Sequence, residues 1–501
     1  MKNGNENTRH KGRTCALTLI AMMLLAPVMA NAQIRIDWQQ CYGTQGGDEA
    51  TSILPVEDGY FVFGSVLLKH TYDHGMATCE IESYLTTPWL IRIDRQGNLQ
   101  DQSCWGWGRR EDAISIRQAK TDNHEYYMNM HNYGEVTILK IDDGMNELWR
   151  REIGDYGCQM FPTDDGGVVV GNSYGMLDKT NGEDSLLKLD NQGNVIWKIS
   201  SGMSIRNIIR ANDGGFFLVG EPLDKGLALV KINEDGQREW ERLHEFPYWS
   251  ILELEDGFLM AGSTTLEGEG FHGNSDILLT RTDKEGNPQW SRYYGGSRYD
   301  TFYGIFANPN GGFTVFALAN SSDGDVQSNN DDIQIFKLWI FHINDSGELL
   351  WERAIGSHVN NVFISSIAEI GDYKYVIAGS MIWEDPPTGD VNCSNSAEIP
   401  YPGQNYWVLQ VTDTINSAGV PEPMTLEEVQ VHPNPTTGQV TITGQDLKTA
   451  EVFNTLGQHV ATAAGEGERL TVDLSGQPAG IYFVTITDEE GRKCVRKVVK
   501  E

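Results

Sequence analysis

The sequence predicts an all-β fold: a seven-bladed β-propeller closed by its N-terminal strand, followed by a small Ig-like β-sandwich. Three observations predict it. Glycine accounts for 54 of 501 residues, which favours many short strands joined by tight turns. One strand-and-turn unit recurs from about residue 34 to residue 413, with the ~40–50-residue period of propeller blades. Finally, a lone fourth strand precedes the first copy, and the last copy lacks one.

The clearest copy covers residues 250–295. It reads Ile251-Leu-Glu-Leu254, then Asp256-Gly257-Phe-Leu-Met-Ala-Gly262-Ser263, a polar loop, Asp276–Asp283, and Gly286-Asn-Pro-Gln-Trp290-Ser-Arg-Tyr-Tyr-Gly295. Four short alternating segments separated by turn signals read as a four-stranded antiparallel sheet. The Asp-Gly element returns at Asp58-Gly59, Asp165-Gly166 and Asp213-Gly214, and as Asn310-Gly311; Asp122-Asn123 is a degenerate copy and Gly371-Asp372 reverses the order. The fourth-strand tryptophan returns at Trp38, Trp105 or Trp107, Trp149, Trp197, Trp240, Trp290 and Trp351, and the last five are spaced by 48, 43, 50 and 61 residues. Recurrence at one strand position reads as packing between blades. Before most of them stands an Asp/Asn-x-x-Gly turn, at Asp94, Asp190, Asn233, Asp283 and Asn344. Its glycine supplies the positive φ that a hairpin turn needs.

The orphan strand is Ile34-Arg-Ile-Asp-Trp38-Gln-Gln-Cys-Tyr-Gly43, and the vacancy follows the segments near residues 364–370, 375–380 and 406–412. One orphan and one vacancy make a closed ring, which removes exposed sheet edges. The tryptophans count seven blades, and the poorly written second repeat leaves six or eight open.

The ends of the chain differ from its middle. Residues 2–13 are polar and basic, Cys15 to Met29 is apolar, and Ala30-Asn31-Ala32 follows. This is the order of a secretory signal peptide, residues 1–32, cleaved after Ala32. About 15 apolar residues fall short of the ~20 needed to span a bilayer, so no membrane span is expected. Lys+Arg 38 against Asp+Glu 70 gives a formal net charge of −32, which repels phosphate backbones and excludes nucleic acid as a ligand. Export makes Cys41, Cys79, Cys104, Cys158, Cys393 and Cys494 candidates for disulfides, with no pairing selected by their spacing. The propeller is expected over residues 33–413 and a proline-bearing linker over 414–428. A new strand pattern over 429–501 reads as the sandwich.

Two resemblances accompany these readings. The phrases Asp-Gly-Gly-Phe-x-x-x-Gly, Ser321-Ser-Asp-Gly-Asp-Val326 and Gly-Asn-x-x-Trp resemble propeller repeats common in secreted Bacteroidetes proteins. They lack the Gly-His and Trp-Asp signature of WD40 blades. The C-terminal segment carries Pro433-Asn434-Pro435, Gly438, Phe453-Asn-Thr-Leu-Gly457-Gln, Pro478-Ala-Gly480-Ile-Tyr482-Phe and the finish Lys497-Val-Val-Lys500. It closely resembles the type A C-terminal sorting domain of the Bacteroidetes type IX secretion system. The resemblance implies that the outer-membrane secretion machinery recognises this domain. It also implies that the domain is then removed, leaving the cargo released or coupled to surface lipopolysaccharide.

Chemistry is sparse. Gly171-Asn-Ser173-Tyr-Gly175 matches a nucleophile elbow, yet Gly171 fills the slot of Gly64, Gly220, Gly262 and Gly379 in sister repeats. His70, Asp73 and His74 could serve a metal, without a third ligand at a convincing spacing. Asp323-Gly-Asp325 with Asp331-Asp332 resembles a calcium loop but lacks the full EF-hand frame. Trp105, Trp107, Trp249, Trp339, Trp383 and Trp407 fall outside the regular column and are candidates for a glycan-binding face. No catalytic residue or cofactor-binding residue can be named. The expectation is a secreted or cell-surface binding module for a glycan or protein. The alternative is a glycoside hydrolase or lyase using carboxylates at the propeller mouth.

Overall fold

The computed structural model describes residues 34–44, 46–67, 77, 86–105, 111–132, 135–153, 158–172, 185–222, 227–244, 248–329, 334–371, 373–382, 388–392, 404–414, 429–454, 459–488 and 493–501. These residues form seven four-stranded antiparallel sheets and one five-stranded sheet. Blade 1 contains Glu49–Val56, Gly59–Leu67, Thr86–Asp94 and Leu99–Cys104. Blade 2 contains Asp112–Gln118, Tyr126–Asn132, Glu135–Ile141 and Glu147–Glu152. Blade 3 contains Cys158–Pro162, Val168–Asn172, Ser185–Leu189 and Val195–Ser200. Blade 4 contains Met203–Arg210, Phe216–Pro222, Leu227–Ile232 and Arg238–His244. Blade 5 contains Ser250–Leu254, Gly257–Thr264, Asp276–Asp283 and Pro288–Tyr294, and blade 6 contains Asp300–Ala307, Phe313–Ala319, Lys337–Ile343 and Leu349–Ile355. Blade 7 takes Val362–Gly371, Lys374–Ile382 and Gln404–Asp413 from the end of the ring, and Ile34–Tyr42 from its beginning.

The orphan strand therefore fills the vacancy, with Ile34 opposite Asp413 and Tyr42 opposite Tyr406. First strands of neighbouring blades touch around the whole ring, blade 7 against blade 1 included. The ring is closed at seven. Burial follows from this layout. Second and third strands, covered on both faces by neighbouring blades, read as continuous buried runs such as Gly257–Thr264 and Lys337–Ile343. Fourth strands at the rim alternate between half-buried and exposed positions.

Two of the repeated sequence elements meet in blades 2 to 5. Opposite the tryptophan of strand four stands a cation of strand three: Lys140 faces Trp149, Lys188 faces Trp197, Lys231 faces Trp240 and Arg281 faces Trp290. These cations are buried, and an acid at the turn between strands one and two neutralises each. Asp165 meets Lys188 at 2.8 Å, Asp213 meets Lys231 at 2.7 Å, and Asp256 meets Arg281. In the degenerate second copy Glu125 takes over, 2.6 Å from Lys140. A buried cation without its acid would be severely destabilising, which is why aspartate stands in the Asp-Gly element.

Blade 1 keeps Arg92 and its partner Asp58 at 2.8 Å but places Asp101, not a tryptophan, opposite Arg92. Trp105 is therefore not the tryptophan of that column. It lies past the strand end, 9% exposed, and packs with Phe61, Ala113 and Met128 of blades 1 and 2. Trp339 and Trp407 are fully buried as well, so all three leave the candidate glycan face. Trp107 and Trp383 lie outside the described residues.

Tryptophan and turn glycine lock successive blades. Trp149 Nε1 donates to the Asn191 carbonyl of the next blade at 2.8 Å, and Trp290 Nε1 donates to Asp345 O at 3.2 Å. The ring then lies on the turn glycine: a Cβ on Gly347 would stand 3.1 Å from the Trp290 ring. Gly347 also has φ +79°, so alanine there meets strain and crowding together. Trp290→Ala is expected to cost about 2–4 kcal/mol in denaturant unfolding, the lower part of the range because the ring is half-buried. Gly347→Ala is expected to cost about 1–3 kcal/mol through the same seam. Stability unchanged in both would show that the seam does not depend on this contact.

Candidate functional site

The antiparallel order puts the short turns of every blade at one end of the ring. The loops between strands two and three and the blade-to-blade connections lie at the other. On this loop face, the loop of blade 6 folds onto the connection from blade 5: Asp325 N–H donates to Gly295 O at 2.9 Å, and Val326 N–H to Asp323 O at 3.1 Å. Asp323 accepts from Ser297 N–H at 2.7 Å, and that bond holds its carboxyl below the usual range. Asp325 accepts from Gly295 N–H at 3.2 Å, while burial pushes its carboxyl up. Both candidate calcium ligands thus tie the loop down. Asp331, like His70, Asp73, His74 and Ser173, lies outside the described residues. No group of three or more His, Cys, Asp or Glu side chains among the described residues is arranged to hold a metal.

Beside them lies a pair the sequence reading missed. Asp276 and Asp300 are both fully buried and flank Gly295, where a Cβ would stand 2.9 Å from Asp276 Oδ1 and 2.8 Å from Asp300 Oδ2. Asp276 accepts from His272 through the backbone N–H at 2.8 Å and pairs with Nδ1 at 2.9 Å. Asp300 accepts from Gly296 N–H at 2.7 Å and Ser321 Oγ at 2.8 Å. The Oδ1 atom of each acid is buried without a hydrogen-bond partner among the described residues. Burial, with the neighbouring charge of Asp276, pushes the Asp300 carboxyl up to about 6 against those two hydrogen bonds. Column-by-column comparison of the repeats carries the missed signal. Asp276 opens strand three, where blade 6 has Lys337 and blade 7 has Asn405, so two acids meet at this seam.

The inner strands carry a second arrangement. The ladder is interrupted at equivalent points in blades 1, 2, 4, 6 and 7, leaving Thr51, Ile114, Arg206, Tyr303 and Ser365 out of register. Bulges of this kind re-aim side chains. Burial pushes the Tyr303 hydroxyl up, and the charge of Glu49 in blade 1 adds to it. Burial likewise raises the Glu49 carboxyl, reinforced by Asp112 of blade 2.

In the nucleophile-elbow match, Gly171 is explained by packing, since a Cβ there would stand 3.0 Å from Ile208 Cδ1 of blade 4. Cys41 and Cys104 are each disulfide-bonded.

The C-terminal motif residues meet at the last strand, Lys493–Lys500. Asn434 donates through Nδ2 to Lys497 O at 2.7 Å and accepts Val499 N–H at 2.8 Å. Gly480 sits opposite Lys500. Buried Tyr482 donates to Pro478 O at 2.8 Å. Gly438 N–H donates to Thr436 Oγ1 at 3.1 Å, and Thr436 N–H donates to Val499 O at 2.8 Å. Gly457 lies outside the described residues.

The acid pair makes stability depend on pH. Asp300 binds its proton more tightly in the native chain than at the ordinary value of 3.8, so stability falls as pH rises from about 4 to about 6 and then levels. Asp300→Asn keeps an acceptor for Gly296 and presents an amide donor to Asp276. It is expected to raise stability by about 1–3 kcal/mol at pH 8 and to have little effect at pH 4. Urea unfolding at both pH values checks this, and a variant less stable at pH 8 would contradict it.

Comparison with known proteins adds the following. Residues 430–501 match the family described as Secretion system C-terminal sorting domain. No curated protein matches the chain. Among solved structures, a protein of unknown function from Bacteroides caccae is 14% identical, with TM-score 0.33, covering 54% of this chain and 89% of its own. BamB from Moraxella catarrhalis is 12% identical, with TM-score 0.39, covering 76% of this chain and 98% of its own. No helix among the described residues is long and apolar enough to cross a membrane. Residues 430–501 are a type IX sorting domain, which directs export, and the chain ahead of them is a seven-bladed β-propeller.

Proposed function

We propose that this chain is a secreted or cell-surface recognition protein that binds a glycan or protein on the loop face of its propeller. Its signal peptide would be cleaved after Ala32, and the sorting tail would deliver it through the type IX machinery. The observation that carries this reading is where large apolar side chains stand exposed. Trp249 at 38%, Leu266 at 48%, Tyr299 at 51%, Tyr303 at 40%, Val359 at 55% and Phe363 at 37% all belong to the loop face or its inner rim in blades 5 to 7. Other exposed apolar side chains, Leu148, Val195, Ile196, Leu243 and Leu350, line the fourth strands, but the exposed aromatics of the ring stand on the loop face, which fits an interaction surface there.

A second reading rests on Glu49 and Asp112. Two acids from different blades, one raised by burial and by the other, are what a carbohydrate-cleaving pair at the axial mouth would need.

One experiment separates the two. The full chain is incubated with insoluble polysaccharides, following both its depletion from solution and the release of small products. Capture without products is expected, weakened at least about tenfold by Trp249→Ala with Tyr299→Ala, as for anchor aromatics. Products lost on Glu49→Gln would establish the second reading instead. Capture unaffected by the aromatic substitutions would sink the loop-face assignment.

A further inference from the structure

Four seams between blades are sealed by a tryptophan lying on the next turn glycine: Trp38 on Gly97, Trp149 on Gly193, Trp197 on Gly236 and Trp290 on Gly347. The seam between blades 4 and 5 departs from this. The neighbour of Gly286 is Arg242, whose Cγ lies 3.7 Å from the position of a Cβ. Arg242 Nε, in place of an indole, donates to the Glu285 carbonyl at 3.1 Å. Its guanidinium rests over Trp240, 5.6 Å from the ring centroid. With the arginine over the indole, a cleft of about 440 Å³ remains between the two blades, bordered by Arg242, His244, Tyr248, Thr280, Ser291 and one acid, Glu285.

We propose that this cleft binds a uronic acid residue, a carboxylate carried on a polyhydroxylated ring. The blade 4 wall supplies the recognition of charge. Arg242 is held by its Nε bond and by stacking, and its terminal nitrogens have no hydrogen-bond partner among the described residues. A guanidinium fixed in this way presents a planar pair of donors that matches a carboxylate. His244 stands beside it with Nε2 buried and without a partner among the described residues. Burial, and then the charge of Arg242, lower its pKa, which favours the neutral ring, and its Nε2 offers a hydrogen bond that a ligand can complete.

The other wall recognises hydroxyls. Tyr248 Oη donates to Thr280 Oγ1 at 2.7 Å, and Thr280 Oγ1 shares a hydrogen with Ser291 Oγ at 2.8 Å. A chain of hydroxyls can reorient to donate to or accept from ring hydroxyls. The volume lies in the lower part of the ~300–1,000 Å³ range of ligand pockets, which suits one ring and not an extended chain. A guanidinium at the cleft favours an anionic sugar over a neutral one. Tyr248 adjoins Trp249 of the loop-face patch, but the proposal does not depend on that reading.

Isothermal titration of the full chain with sodium galacturonate at pH 6 tests the proposal, with galactose and acetate as controls. Saturable galacturonate binding is expected, at least about tenfold tighter than either control, because a charge-assisted pair and the ring hydroxyls contribute together. Arg242→Gln is expected to weaken it at least about tenfold, and His244→Gln to weaken it less, in variants that circular dichroism shows to be folded. Ser291→Ala, at an exposed position that leaves the arginine wall untouched, serves if Arg242→Gln does not fold. Absence of saturable binding overturns the proposal. So does galactose binding as tightly as galacturonate, or an affinity indifferent to every substitution.

Discussion

The ring depends on one repeated contact, the tryptophan of strand four laid across the turn glycine of the following blade. Hydrogen bonding within a blade ends at its own rim, so nothing in the ladder itself says where the next sheet must stand. The indole supplies that instruction by reaching out of its own sheet to a neighbouring carbonyl, as Trp149, Trp197 and Trp290 do. Flat apposition of a large ring onto a turn works only where the turn has no side chain. Gly97, Gly193, Gly236 and Gly347 thus answer two demands, the left-handed φ of their own hairpin and the approach of a ring from another blade. That double demand couples two sequence motifs, one blade apart in the chain.

Beneath each of these indoles lies a buried charge, and this explains why the Asp-Gly element is written so consistently. Cation and acid come from different strands of one sheet, so their pairing fixes the turn between strands one and two against strand three. Blade 6 shows that the geometry, and not the charge, is what the position requires. There His342 replaces the cation, stacks on Trp351 with ring centroids 5.9 Å apart, and bonds Asn308 at 2.8 Å. Burial lowers the pKa of His342, so a neutral ring and a neutral amide take the place of the ion pair. Blade 7 goes further with Gln410, which accepts from Trp38 Nε1 at 3.1 Å and donates to Asp37 at 3.0 Å.

Motifs that recur were legible in the sequence because a repeat displays its own consensus. The closing strand could be read from the orphan Trp38 segment, and the tail from Pro433-Asn434-Pro435 and the basic finish. Departures from the repeat were harder to read. Trp105 looked like the tryptophan of the first blade because spacing in sequence cannot tell a strand position from the residue just beyond its end. The Asp276 and Asp300 pair was hidden for a related reason. Each aspartate is unremarkable in a chain with 70 acidic residues, and only the closure of one blade against the next brings them to either side of Gly295. Arg242 escaped notice likewise, since its meaning lies in the indole it displaces.

Closure also constrains the two ends of the chain. The pairing that seals the ring joins residues 34–42 to residues 406–413, so it cannot form until almost the whole propeller has been made. Contacts so distant in sequence form late, because the loop entropy must be lost before they reward it. Until then blade 7 exposes an unpaired strand edge, the kind of edge that invites association. The expected signal cleavage after Ala32 falls two residues before Ile34, which is 2% exposed and already paired with Asp413. On the proposed cleavage only Gln33 would precede the closing strand, so a change that shortens this junction is expected to disturb ring closure.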